Sequence, residues 1–168
     1  MSATAQALAQ ASAALEAVAA LLQAARVILR QGEQALQSFV ACQGGEGGDA
    51  QALLGDTVAR FDINCALIWG LNEVGISMLS AANKTTSQAL SDLQIRRYGP
   101  PEDLSLAGAC VRTLEVVAET VQSLLDVERQ TGAQIKALHA AASRFAAPDA
   151  VLGVTEQLFA RLKARPPA

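Results

Sequence analysis

The chain has 168 residues, of which 51% are hydrophobic but only 4% aromatic, with a formal charge of -3 and a pI near 5.1. That balance excludes a general nucleic-acid binder, which needs a basic patch to displace counterions from phosphates. Thirty-five alanines account for much of the apolar fraction, so the composition favours helix more than it supplies bulk for a core. The length suits one domain.

In chain order, Gly and Pro cluster at only three places, QGGEGGD, YGPP and AAPD, and these divide the chain into four helical runs. The spacing predicts a helix over 4–42, with Leu8, Leu15, Val18, Leu22, Ala25, Leu29, Leu36 and Phe39 on one stripe and Gly32 falling among them. The first 25 residues hold no positive side chain, which argues against a secretory signal. A glycine-rich linker follows over 43–49, with Asp49 placed to cap the next helix.

The second helix is expected over 50–97. Its stripe reads Val58, Phe61, Cys65, Ile68, Asn72, Ile76, Leu79, Asn83, Thr86, Leu90 and Leu93. Residues 63–82 hold a single charge, Glu73, over the 20 positions that a membrane span requires. Seven Leu, Ile and Val side chains there favour insertion by about 2 to 4 kcal/mol, and a central acid costs about 2.5 to 3.5 kcal/mol before the two asparagines are added. No transmembrane span is therefore expected. The segment also carries a second stripe, Leu67, Leu71, Val74 and Met78, with Trp69 near its edge. That apolar face is too wide for one partner helix. Either the first helix covers it, or it meets another hydrophobic surface.

A short turn over 98–101 leads to a third helix over 102–146, with Pro101 at its first position and Glu102 and Asp103 at the positive end of its dipole. Its stripe runs through Ala107, Cys110, Leu114, Val117, Val121, Leu124, Glu128, Thr131, Ile135, Leu138, Ala142 and Phe145. So short a turn makes the second and third helices antiparallel, with facing residue numbers summing to about 200. The arithmetic sets Ile76 against Leu124, Cys65 against Ile135, and Asn72 against Glu128, a polar pair read as a register lock. Asp149 is expected to cap a short last helix over 150–164. The fold class is thus all-α, a bundle of long amphipathic helices around a central antiparallel, coiled-coil-like hairpin.

Catalytic chemistry finds no foothold. The one histidine, His139, has no partner at metal or triad spacing and reads as a surface residue, and Glu115 and Glu119 read as solvated charges. No nucleophile elbow, phosphate loop or C-x-x-C occurs. Cys42, Cys65 and Cys110 are odd in number and far apart, which suits small hydrophobes in a reducing, cytoplasmic setting. No enzyme activity, cofactor or metal is expected.

The order of these features resembles a family. INCALIWGLNEVGISMLSAANKTTSQALSDLQ is similar to the long phasin helix that bears Asn, Ser and Ala among apolar residues. RRYGPPEDLSLAGACVRTLEVVAETVQSLLDV is similar to that family's Pro-containing break and second helix. Phasins often carry a glutamine soon after the leucine that opens this helix, whereas Leu104 is followed by Ser105, Leu106 and Ala107. The resemblance implies a non-enzymatic protein that coats polyhydroxyalkanoate (polyhydroxybutyrate) granules in the cytoplasm through amphipathic helices. It also implies self-association into a homo-oligomer and contact with a depolymerase or synthase. Leu67, Trp69, Leu71, Val74 and Met78 are the candidate polymer-facing residues. The competing expectation is a cytosolic adaptor whose wide face takes a partner helix.

Overall fold

The computed structural model describes residues 1–42 and 47–163. Four helices account for nearly all of them: α1 (Ala3–Ala41), α2 (Gly47–Ile95), α3 (Pro101–Ala142) and α4 (Pro148–Lys163). The protein is an all-α bundle of long helices. The linker expected over 43–49 falls partly outside the described residues, and its last three positions already belong to α2.

The helix ends follow capping chemistry. Ser2 caps α1, its Oγ accepting from the Ala5 amide at 3.1 Å. α3 opens on Pro101 as expected, with Glu102 and Asp103 in its first turn. α4 opens on Pro148, so Asp149 stands in the first turn and not at the cap. Likewise α2 starts two residues ahead of Asp49. The third helix stops at Ala142, four residues short of the expected end, and Ser143 to Phe145 form a turn before Pro148.

The α2–α3 turn departs from expectation in an informative way. Arg97 and Tyr98 adopt left-handed backbone (φ 56° and 50°), whereas Gly99 does not. The Tyr98 amide donates to the Leu93 carbonyl at 3.2 Å and Arg97 to Gln94 at 3.0 Å. Two non-glycine residues thus close the helix in the manner usually left to glycine.

Packing groups the chain into two compact units, each built from parts of the same long helices. Unit 1 comprises Met1–Gln23 and Glu73–Leu125, and unit 2 comprises Ala24–Asn72 and Asp126–Ala168. In unit 1 the core alternates large side chains such as Leu79, Leu93 and Leu124 with small ones. The expected Leu79, Thr86 and Leu93 are buried on α2, but the positions between them are taken by Gly75, Ala82 and Ala89, and the expected Ile76, Asn83 and Leu90 stand beside the stripe. A Cβ on Gly75 would lie 2.9 Å from Leu124 Cδ1, so α2 and α3 approach too closely for the expected Ile76 to fill the seam. On α1 the expected Val18 and Leu22 are buried, along with Thr4 and Ala11, while the expected Leu8 and Leu15 remain half-buried.

Unit 2 is packed with larger groups. Phe61, Cys65, Ile68, Ile135 and Leu138 are buried, in accord with the expected stripes. Phe39 meets Phe145 edge-on, with ring centroids 6.0 Å apart at 78°. α1 is tied down by polar contacts: Asn64 Nδ2 donates to the Ile28 carbonyl at 3.4 Å, and Gln134 Nε2 donates to the Leu29 carbonyl at 2.8 Å. Both side chains occupy the space left by Gly32, where a Cβ would collide with the Gln134 carboxamide. α4 is held on α2 by Arg161, whose guanidinium donates to both carboxylate oxygens of Asp62 at 3.0 and 3.4 Å.

Candidate hydrophobic-surface site

The surplus face of α2 can now be followed residue by residue. In unit 2, Ile63 is 54% exposed and Leu67 49%, while Trp69 and Leu71 are half-buried. In unit 1, Val74 is 53% exposed, Ile76 is exposed, and Met78 is half-buried. Of the five residues singled out in the sequence, Leu67 and Val74 are open to solvent and the other three are partly covered. The cause lies in the seam. Once the heptad positions Phe61, Cys65, Ile68 and Asn72 turn inward, positions 63, 67 and 74 must turn away. Ile63 was missed because the stripe was counted from Leu67. It lies one helical turn ahead of that residue.

α3 contributes further exposed apolar groups in unit 1, namely Leu104, Val111 and Val116. They belong to no expected stripe, and a heptad count through Ala107, Cys110 and Val117 leaves them on the outer side.

The polar pair read from the seam is not formed as a bond. Asn72 is buried at 8% exposure, but its Oδ1 has no hydrogen-bond partner, and no hydrogen bond joins it to Glu128, which is half-buried. Val127 is buried instead. The register explains the shift, since contacting pairs Arg96–Asp103 and Gly75–Leu124 each sum to 199 in residue number. That register puts Val127, not Glu128, opposite Asn72. Asp103 is a second strained polar group. Its Oδ1 lies 3.9 Å from Arg96, and its Oδ2 is buried and unpartnered. As the third residue of α3 it faces a cap position held by Pro100, which has no N–H to offer it.

Potentially reactive groups are scattered. Cys65 and Cys110 are buried and Cys42 is exposed. Burial, with Asp62 nearby, pushes the Cys65 thiol up to about 12 against the opposing pull of Arg161, and burial also raises Cys110. Among the described residues no three His, Cys, Asp or Glu side chains come together in a way that would hold a metal ion. His139 is half-buried rather than a free surface histidine, and its Nδ1 lies 2.9 Å from Thr155 Oγ1 on α4.

Among the described residues two helices, Ala3–Ala41 and the Ala50–Ile95 portion of α2, are long and apolar enough to cross a membrane by length and composition. The expected absence of a span had weighed only the second. Comparison with protein families, characterised proteins and solved structures returns no match to this chain.

Proposed function

We propose that the protein is a non-enzymatic, phasin-like coat protein that adsorbs to the surface of polyhydroxyalkanoate granules through its uncovered apolar helix faces. The observation that carries this reading is the exposure of Ile63, Leu67 and Val74 on α2 although the seam of that helix is already filled. Removing such side chains from water is worth about 1.5 to 3 kcal/mol each when burial is complete. A few contacts therefore suffice for adsorption, and no single residue is indispensable. Glutamine, serine and charged side chains on the remaining faces keep the coat wettable.

The test is co-sedimentation with amorphous polyhydroxybutyrate particles at low and high salt, run beside flotation on liposomes. Adsorption by apolar area persists at high salt, where surface charge effects are screened. The double variant Ile63→Ser/Leu67→Ser is expected to weaken it several-fold. Wild-type protein left in the supernatant would defeat the reading. Flotation with liposomes but not with polymer would favour the bilayer, which the length and apolarity of α1 and α2 support. A stoichiometric complex with one protein, and no polymer affinity, would favour the adaptor reading.

A further inference from the structure

Unit 2 contains a partly open cavity of about 360 Å³ between α2, α3 and α4. Leu54 and Val58, Leu138, and Val151 and Val154 supply its aliphatic walls, and Gln51, His139 and Thr155 its polar groups. At about 30 Å³ for each group of water or methylene size, it holds at most roughly a dozen such groups, and fewer where its open side is left to solvent. That volume lies at the small end of the range for ligand pockets.

The hydrogen bonds at its edge fix the proton on His139. Thr155 Oγ1 donates its single hydrogen to the Val151 carbonyl at 2.8 Å, because a carbonyl oxygen can only accept. The 2.9 Å contact between Thr155 Oγ1 and His139 Nδ1 must then be donated by the ring, as Nδ1–H. In a neutral imidazole this leaves Nε2 with a lone pair and no hydrogen. Of the polar lining residues, His139 thus keeps one ring nitrogen as an acceptor to which a ligand hydroxyl can donate, beside the carboxamide of Gln51, which can donate or accept.

We propose that this cavity binds an aliphatic chain of about six to eight carbons ending in a hydroxyl, with the chain between the helices and its O–H donating to His139 Nε2. The inference is separate from adsorption to polymer. It uses different residues, and a failure of either leaves the other standing.

Two isomers of equal size test it, 1-heptanol and 1-methoxyhexane, titrated into the full chain at pH 8.5, above the range in which histidines ordinarily charge. Methyl resonances of Leu54, Val151 and Val154 are expected to shift saturably with 1-heptanol, and the ether to bind at least tenfold more weakly. His139→Phe should abolish that preference while retaining apolar binding, and Val154→Trp should abolish binding of both with helicity unchanged. Non-saturable shifts with 1-heptanol, or equal affinity of the wild type for the two isomers, would overturn the proposal without recourse to any variant.

Discussion

Gln134 reaches the backbone carbonyl of Leu29 across the place where Gly32 has no side chain, at 2.8 Å. The glycine sits where the heptad of α1 asks for a leucine, and it exists there as a notch for two amide side chains. Gly32→Ala gains about 1 kcal/mol of helix propensity and loses a hydrogen bond worth about 0.5 to 1.5 kcal/mol, so it should change stability by less than about 1 kcal/mol. Gly32→Leu improves the pattern yet displaces both Gln134 and Asn64. Thermal unfolding should show it destabilised by more than about 2 kcal/mol.

Polar atoms without partners in the seam make a second prediction of opposite sign. Asn72 Oδ1 and Thr86 Oγ1 are buried and unbonded, and such groups cost about 1 to 3 kcal/mol each. Asn72→Leu and Thr86→Val should therefore raise the melting temperature, by about 2 to 4 °C per kcal/mol gained. A lower value for Asn72→Leu would restore the polar lock with Glu128 that the sequence suggested.

The left-handed backbone at Arg97 costs about 1 to 2 kcal/mol for a residue with a Cβ. Arg97→Gly should recover about 0.5 to 1 kcal/mol, the remainder being lost to the greater freedom of glycine in the unfolded chain. Arg97→Val should lose about 1 kcal/mol. Denaturant midpoints of the two variants on either side of wild type would establish the strain.

Alkaline pH provides a fourth check. The thiol of Cys65 ionises near 9.0 when unfolded, whereas burial pushes it up to about 12 in the folded chain. A raised folded value stabilises the folded state below pH 9, and that contribution is lost as pH climbs from 9 towards 12. Cys65→Ala should lose less stability across this window than wild type does, in urea titrations at pH 8 and pH 10.5.

Much of this fold was legible in the sequence. The helix-forming composition, the three Gly and Pro clusters and the period of apolar residues gave four helices and an antiparallel hairpin. The detailed register was not, because the reading favoured large side chains. Ile76, Leu90 and Glu128 were placed inward, whereas Gly75, Ala89 and Val127 are buried. In an alanine-rich bundle close backbone approach replaces bulk, so size misleads where spacing does not. The exposed face at Leu67 and Val74 was visible as a second stripe. By contrast, the Asp62–Arg161 clamp and the His139–Thr155 pair join residues 99 and 16 positions apart, and no local pattern announces either.

The distribution of thiols has a practical corollary. Cys42 is exposed, while Cys110 is buried in unit 1 and Cys65 in unit 2. A disulfide reagent at neutral pH should therefore take one equivalent at once, and then two more at rates set by local opening around each sulfur. Each half of the molecule thus carries its own built-in clock. Single-cysteine variants that retain either Cys65 or Cys110 would time the breathing of the two units separately, with no added label.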